Sequence, residues 1–266
     1  MSSITVPGVD DVYHISCVTS ERLWVSDQRR LLQVDKTTPE VQENKIDFKY
    51  YSPRGSHSVS EDGNLILIDG YEVQKMTLDG TITTLLRESR RLLCIHSSRI
   101  NGDILVGFES GLKRYDWSGA HHIKLGTRSY FRYGDCYPIF ITENKNGDIW
   151  VSDRHREVVV MDKLGQHRFN YRGLYKSDFY PCGICTDILG QVLVCDAFDP
   201  SIHLVDQNGQ FLRHLLTEEH GLRCPMALCV DEKHNLYVGE KNSNTITVYK
   251  YLQETENLKS SIIESK

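Results

Sequence analysis

The stretch Pro181-Cys-Gly-Ile-Cys-Thr-Asp-Ile-Leu-Gly-Gln-Val-Leu-Val-Cys-Asp196 decides the fold, because its pattern returns along the chain. A short strand follows the proline, a glycine turn comes next, and a second, apolar strand ends at an acidic residue. Six copies of that second strand end 39 to 45 residues apart, at residues 23–27, 65–69, 104–108, 149–153, 192–196 and 236–240. Each copy is a short continuous apolar run, which indicates a strand buried on both faces.

Other features repeat in phase with these strands. Pro138, Pro181 and Pro225 each stand 15 residues before the strand-ending residue of their unit. Asp-Gly or Asn-Gly pairs at 62–63, 101–102 and 146–147 predict tight turns that need positive φ angles. A third strand, a second glycine turn and a fourth strand complete the unit, as at 202–206, 208–209 and 211–215. Four antiparallel strands per repeat, without helix signals between them, are typical of a propeller blade.

The six units predict an all-β fold, a six-bladed β-propeller of four-stranded antiparallel blades over residues 1–252. The sixth unit lacks a fourth strand of its own. We expect Ile4-Thr5-Val6 to supply that strand and close the ring, although a frayed terminal arm is the alternative. Residues 253–266 are polar and lack a glycine turn, so we expect a disordered or short helical tail.

Composition narrows the class of protein. The chain has 266 residues, 39% of them hydrophobic and 25% charged, with a net charge of -5, which is ordinary for a soluble globular protein. The mild acidity provides no overall attraction to nucleic acid or anionic membranes. No basic segment followed by an apolar one opens the sequence, so we expect a cytoplasmic protein whose 8 cysteines are reduced.

The succession Pro-x-Gly-Ile, Gly-x-x-x-Val-x-Asp and Val/Leu-Asp-x-x-Gly resembles the NHL repeat, and residues 181–212 fit it best. Over residues 1–252 the chain resembles the C-terminal propeller of tripartite-motif (TRIM-NHL) proteins. The resemblance implies a propeller that recognises proteins or RNA, while RING and B-box domains carry the ubiquitin-ligase chemistry. The zinc-binding Cys and His pattern of those domains does not occur in this sequence, so we expect no ligase activity from this chain alone.

Two columns of the repeat could carry chemistry. Eleven residues before each strand end stand Ser16, Ser58, Ser97, Thr142, Cys185 and Cys229. We interpret this column as small side chains in a crowded interior, so the Cys182-x-x-Cys185 motif is expected to be structural. The strand-ending acids could bind a cation near the axis, as some six-bladed lactonases hold calcium, but their recurrence favours hydrogen bonds to loop backbone. These acids are Asp27, Asp69, Asp153, Asp196 and Glu240.

The loops joining second to third strands, and those joining successive blades, should open on one face of the propeller. They collect arginine, lysine and tyrosine, and we predict a partner-binding surface there. The candidate residues are Arg29, Arg30, Arg91, Arg128, Tyr130, Arg132, Tyr133, Arg154, Arg156, Arg172, Tyr175 and Lys176. Arginine and tyrosine are enriched at protein interfaces, and the same mixture can bind single-stranded RNA. Acidic neighbours such as Glu157 and Asp178 weaken the positive field, which favours a protein over RNA.

The sequence therefore predicts a non-catalytic, monomeric propeller that recognises a protein partner, with ubiquitination as the setting that the resemblance implies. Single-stranded RNA binding is the alternative, and a metal-dependent lactonase or hydrolase in the channel is a third hypothesis. DNA and membranes are not expected partners. None of the 11 histidines has a serine or cysteine partner in a recognisable motif, so no catalytic residue, metal or cofactor is assigned.

Overall fold

The computed structural model describes residues 1–36, 45–50, 54–109, 111–119, 122–125, 137–174 and 178–252. Within these ranges the chain forms six antiparallel sheets of four strands each. One short 3-10 turn, Glu218–His220, is the helical element of the described residues. The predicted all-β, six-bladed propeller is therefore confirmed, whereas the predicted tail at 253–266 lies outside the described residues.

The strands are numbered in chain order from β1 (Ser2–Thr5). Blade 1 contains β2 (His14–Thr19), β3 (Arg22–Ser26), β4 (Arg30–Asp35) and β5 (Lys45–Asp47). Blade 2 contains β6 (His57–Val59), β7 (Leu65–Asp69), β8 (Glu72–Met76) and β9 (Ile82–Arg87). Blade 3 contains β10 (Cys94–Ser97), β11 (Ile104–Phe108), β12 (Gly111–Tyr115) and β13 (His122–Leu125).

The remaining blades follow the same order. Blade 4 contains β14 (Pro138–Glu143), β15 (Ile149–Asp153), β16 (Glu157–Met161) and β17 (His167–Tyr171). Blade 5 contains β18 (Pro181–Thr186), β19 (Val192–Asp196), β20 (Ser201–Val205) and β21 (Phe211–Thr217). Blade 6 contains β22 (Pro225–Val230), β23 (Asn235–Glu240), β24 (Thr245–Lys250) and β1.

The ring closes through the N-terminal strand, as predicted. β1 pairs antiparallel with β24, with Ser2 opposite Val248 and Thr5 opposite Thr245. The first strands of the blades contact one another in sequence, and β22 of the last blade returns to β2 of the first. The closing strand starts two residues earlier than the sequence indicated, and the backbone N–H of Val6 extends the pairing by donating to the Asn244 carbonyl at 2.8 Å.

The core lies between neighbouring blades, where the second strands are buried on both faces. All five residues of β15 are buried, and Trp150 within it is fully enclosed. Trp24 on β3 and Tyr237 on β23 occupy corresponding buried positions. Burying a large side chain of this kind stabilises the fold by roughly 2–3 kcal/mol. The fourth strands cover less apolar surface, and four of the six residues of β9 are exposed.

In five of the six blades the turn between first and second strands contains a residue with positive φ, and the turn of blade 1 does not. Gly63 and Gly147 both have φ of 79°, which confirms the predicted Asp-Gly and Asn-Gly turns. In blade 6 the corresponding position is His234, with φ of 62°. A left-handed backbone at a non-glycine residue costs free energy, so this turn is under local strain.

Antiparallel strands place alternate connections on opposite faces of the ring. We call the face formed by the connections between first and second strands, and between third and fourth strands, the turn face. The connections between second and third strands, and between blades, form the loop face, which is the face predicted to bind a partner. Within the described ranges, no helix has the length and apolarity needed to cross a lipid bilayer.

Candidate functional site

A cavity of about 590 Å³ lies at the centre of the ring, among the ends of the six first strands. Its lining continues into the turns that follow these strands, where Arg99, Ile100 and Lys145 are exposed to solvent. The cavity therefore opens on the turn face, opposite the loop face that was predicted to bind a partner. We refer to it as the central cavity.

One small side chain from each blade lines the central cavity. The six residues are Ser16, Ser58, Ser97, Thr142, Cys185 and Cys229. Adjacent first strands approach closely here, since the backbone N–H of Ser97 donates to the Ser58 hydroxyl at 3.0 Å. The column expected in a crowded interior thus borders an open volume, and the interpretation of its small size as a packing requirement stays a prediction.

The loop-face end of the central cavity is closed by side chains from opposite sides of the ring. The rings of His14 and His57 lie 4.1 Å apart, and His14 also contacts Phe140 of blade 4 at 5.3 Å. Gly55 packs against blade 4 so closely that a Cβ atom there would lie 2.4 Å from the Ile139 carbonyl oxygen. Arg54 lies beside these residues, with its guanidinium 5.4 Å from the ring centre of Tyr13. The cavity is therefore blind.

Three of the four histidines that line the cavity are held in the neutral form. Burial lowers the pKa of His14 to about 3, helped by nearby His96. Burial also lowers the pKa of His96 to about 3, with Arg99 and Arg114 adding to the shift, and holds the pKa of His57 well below its usual range. At neutral pH these imidazoles therefore carry no charge and act as polar, uncharged lining.

The ring of His57 is bonded on both sides. Its Nδ1 lies 2.9 Å from the Ser16 hydroxyl oxygen, and its Nε2 lies 3.1 Å from the Ser26 hydroxyl oxygen. The Ser16–His57 pair has the contact of a nucleophile and its base, but both ring nitrogens are occupied by serines. The carboxylate that orients the histidine in a Ser-His-Asp triad has no counterpart at this ring among the described residues.

Four carboxylates at the open end are already engaged by the protein. Asp187 accepts hydrogen bonds from the backbone N–H groups of Leu189 and Gln191, and Asp231 accepts from those of Lys233 and Asn235. The remaining oxygen of each accepts from a tyrosine hydroxyl, at 2.8 Å in both cases.

The other two carboxylates, Glu143 and Glu232, are bonded to neighbouring groups. Arg114 pairs with Glu143 at 2.8 Å, and the backbone N–H of Ser20 donates to Glu232 at 2.6 Å. The carboxylate oxygens of Glu143, Asp187 and Asp231 are thus largely engaged by the protein, whereas Glu232 is exposed and accepts one backbone N–H bond.

The predicted partner-binding residues lie on the loop face where the structure describes them. Arg29, Arg91, Arg154 and Arg156 are exposed, and Arg154 lies over the ring of Tyr137 at 5.3 Å. Two others are held by acids: Arg30 by Asp10 and Asp27, and Arg172 by Glu157. The remaining six lie outside the described residues; they are Arg128, Tyr130, Arg132, Tyr133, Tyr175 and Lys176.

A smaller pocket of about 210 Å³ lies on the loop face at blade 5. At the base of this pocket, Phe179 stacks on His203. The Nδ1 atom of His203 lies 2.7 Å from the Tyr171 hydroxyl oxygen, so the two side chains are hydrogen-bonded. Leu174 and Phe198 border it and are 45% and 60% exposed, which leaves an apolar rim on this face.

The acids that end the second strands bind loop backbone, as the recurrence indicated. Asp153 accepts from the N–H groups of Tyr137 and His155, and Asp196 accepts from those of Tyr180 and Phe198. Each acid thereby ties the loop between two strands to the loop that enters the same blade. Asp27 and Glu240 make similar contacts with nearby N–H groups. Within the described ranges, no group of three or more His, Cys, Asp or Glu is placed to hold a metal ion.

The cysteines differ from expectation at one pair. Cys17 and Cys229 form a disulfide that joins the first strands of blades 1 and 6, with Cα atoms 6.3 Å apart. The expectation of reduced thiols is therefore wrong for these two. Cys182 and Cys185 do not pair with each other, and burial raises the pKa of Cys182 to about 12, in agreement with a structural role.

The central cavity was not predicted from the sequence, and neither were its histidines or its exposed Arg99 and Lys145. The column of small residues was the one signal that marked its wall. His57 and His96 share a column, each 12 residues before the strand end of its unit, but His14 stands 13 residues before its strand end and the same column holds isoleucine or leucine in the other four units.

Fold and site together define a six-bladed β-propeller with a blind cavity at its centre. Solved structures that resemble it include a streptogramin B lyase, with 16% identity over 96% of this chain and 88% of that one and a TM-score of 0.66. A gluconolactonase from Xanthomonas campestris matches at 14% identity over 92% and 88% of the two chains, with a TM-score of 0.69. A Bacteroides thetaiotaomicron protein of unknown function matches at 12% identity over 93% and 72%, with a TM-score of 0.73.

At these identities the likenesses establish the fold alone. No family model matches the sequence, and no curated protein matches it either. The resemblance to TRIM-NHL propellers thus stays a prediction from the repeat motifs.

Proposed function

We propose that this chain is a non-catalytic binding propeller whose primary site is the central cavity, which holds a small molecule. The blind cavity of about 590 Å³ carries this proposal. Its volume falls within the roughly 300–1,000 Å³ of ordinary small-molecule sites. Its wall combines apolar side chains, such as Ile95 and Ile184, with hydroxyl and imidazole groups, the mixture that orients an organic ligand.

The arrangement of His57 supports binding over catalysis. A general base works best with a pKa near the working pH and, in a triad, with a carboxylate on its second nitrogen, whereas burial holds the pKa of His57 well below its usual range and its second nitrogen faces the Ser26 hydroxyl. The lyase and the gluconolactonase among the structural neighbours make catalysis the alternative that an experiment must address.

Binding is tested with the neutral dye N-phenyl-1-naphthylamine, which fluoresces in apolar cavities. We expect saturable binding of one dye per chain. Cys185→Phe places a ring inside the cavity and should abolish binding, as should Ile188→Trp at the partly exposed mouth, where a larger side chain can be accommodated. The matched control Leu212→Phe adds a similar ring on the outer strand β21 and should leave binding unchanged.

Equal dye binding by folded Cys185→Phe and Ile188→Trp variants would remove the cavity from the proposal. The non-catalytic part is tested with gluconolactone in a pH-stat. Hydrolysis above the buffer rate that disappears in both Ser16→Ala and His57→Gln would overturn it.

The second candidate function is protein recognition by the loop face. The exposed Arg154 and Arg156 lie on the same face as the exposed apolar side chains Leu174 and Phe198. Arginine and exposed aromatic side chains on one surface are typical of protein-interface hot spots. The TRIM-NHL resemblance adds that the partner could be a ubiquitination substrate.

This candidate is tested by retrieving partners from lysate with the purified propeller. Arg156→Glu and Phe198→Ala should lose a partner that Lys250→Glu, on the outer part of blade 6, retains. A partner retained equally by all three variants would contradict it. Retrieval of RNA with an affinity that falls steeply as salt rises would favour the RNA alternative.

A further inference from the structure

We infer that the ligand of the central cavity is a small organic anion, with its charged group at the mouth near Arg99 and Lys145 and its body inside the ring. This inference rests on the proposed function and specifies the chemical class of the ligand. The charged groups around the cavity that remain available to a ligand decide this class.

Two cations border the mouth without a hydrogen bond or a close ion pair to the described residues, although Lys145 acts electrostatically on nearby Asp187 and opposes the rise in its pKa that burial causes. Arg99 follows the first strand of blade 3, and Lys145 lies in the first turn of blade 4, so both belong to the same side of the opening. The stem of Lys145 lies beside Gly190 of blade 5, where a Cβ atom would be 3.7 Å from its Cδ. That contact holds the ammonium group at the rim of the cavity.

Three of the four acids near the same opening are not available in this way, whereas the fourth, Glu232, is exposed and accepts one backbone N–H bond, from Ser20. Asp187 and Asp231 each accept two backbone N–H groups and a tyrosine hydroxyl, and Glu143 is paired with Arg114 and bonded to Ser98. A cationic ligand would have to displace these bonds from buried carboxylates, which is costly. An anionic ligand meets Arg99 and Lys145 without displacing any such bond.

The interior favours an uncharged body. Ile15, Ile95, Ile141, Ile184 and Leu228 supply apolar wall around the ring. Between them lie the hydroxyl groups of the small-residue column and the neutral imidazoles of His14 and His96. His14 keeps a buried Nδ1 without a hydrogen-bond partner among the described residues, so a polar group remains to be satisfied at the deep end. A ring-sized apolar body with one or two hydroxyl or carbonyl groups fits this lining.

The experiment compares two dyes that share one aromatic body. 1-Anilinonaphthalene-8-sulfonate carries a negative charge, and N-phenyl-1-naphthylamine lacks it. We expect the anionic dye to bind the wild-type chain more tightly. Arg99→Gln and Lys145→Gln should each weaken the anionic dye by about two- to fivefold, the size of an exposed charge interaction, and leave the neutral dye unchanged. Raising salt should weaken the anionic dye only.

The matched control is Lys241→Gln, an exposed lysine that follows β23 on the loop face. It removes the same charge from the whole protein and should leave both dyes unaffected. Equal loss of anionic-dye affinity in Lys241→Gln would attribute the effect to net charge and overturn the inference.

The outcomes separate the inference from the function on which it rests. If the neutral dye binds and Cys185→Phe blocks it, while Arg99→Gln and Lys145→Gln leave the anionic dye unaffected, the anion inference fails and the cavity site stands. If neither dye binds the folded wild-type chain, the cavity site fails as well. Stronger binding of the anionic dye after removal of either charge would also contradict the inference.

Discussion

Replacement of Asp153 by alanine should destabilise the propeller measurably, because this fully buried carboxylate ties two loops of blade 4 together. It accepts hydrogen bonds from the backbone N–H of Tyr137 at 2.8 Å, from the N–H of His155 at 2.7 Å and from the His155 ring at 2.7 Å. Desolvation raises the pKa of Asp153 while these N–H donors lower it, so the donors offset part of the burial penalty.

The expected magnitude follows from the donors that lose their acceptor. A backbone N–H left without an acceptor costs about 1–3 kcal/mol, and two such groups are affected. Tyr137 and His155 are only partly buried, so water can replace part of the loss, and we expect about 2–3 kcal/mol. For a chain of this size that corresponds to a fall in Tm of roughly 6 °C. Asp153→Asn keeps one acceptor oxygen and should lose about half as much.

Thermal unfolding followed by circular dichroism measures this effect. Asp162→Ala is the matched control, because Asp162 also accepts two backbone N–H groups, from Leu164 and Gln166, but at a partly exposed turn. Water can replace it there, so a loss below about 1 kcal/mol is expected. Equal falls in Tm for Asp153→Ala and Asp162→Ala would refute the reasoning that burial of the acceptor decides the cost.

Three further predictions concern the buried histidine, the ring closure and the disulfide. The pKa of His57 is lowered on folding, so the unfolded chain takes up its proton first and stability falls as pH drops below about 6.5. His57→Gln should therefore reduce the stability lost between pH 7 and pH 5 by about 2 kcal/mol in urea titrations, and an unchanged loss would contradict this. Removal of residues 2–6 takes away β1 and the fully buried Val6, so the free energy of unfolding should fall by about 4 kcal/mol. It also exposes the edge of β24, which should be visible as self-association in light scattering. A truncated monomer with the Tm of the wild type would contradict ring closure by β1. Thiol titration of the unreduced, denatured chain should find one more free thiol in Cys17→Ser than in the wild type, and one fewer would show that Cys17 and Cys229 are not joined.

The fold was predictable because its signals are local and repeated. Turns such as those at Gly63 and Gly147 need only a glycine at a fixed offset, and the buried second strands stand out as continuous apolar runs. The closing role of the N-terminal strand followed from the missing fourth strand of blade 6. The acids at the strand ends were also predictable, because Asp153 and Asp196 bind groups within a few residues or in the loop entering the same blade.

The candidate site was not predictable, because it depends on contacts across the ring. Whether the centre is filled or open is decided by His14, His57 and Phe140, which come from three different blades and meet at the axis. The disulfide joins residues 212 positions apart in sequence, and no local pattern marks Cys17 and Cys229 as partners. The face on which the cavity opens could not be predicted either, because it depends on contacts between blades that are far apart in the sequence. The arginine-rich loops were visible in the sequence, and their role as a protein-binding surface stays a prediction.

A crystal structure of the chain bound to 1-anilinonaphthalene-8-sulfonate is the decisive experiment for anion binding in the central cavity. We predict that the aromatic body of the dye lies among the six first strands, against residues such as Thr142 and Cys185, with its sulfonate on the turn face within reach of Arg99 or Lys145. A dye bound instead on the loop face beside Phe198, with the central cavity unoccupied, would contradict the account.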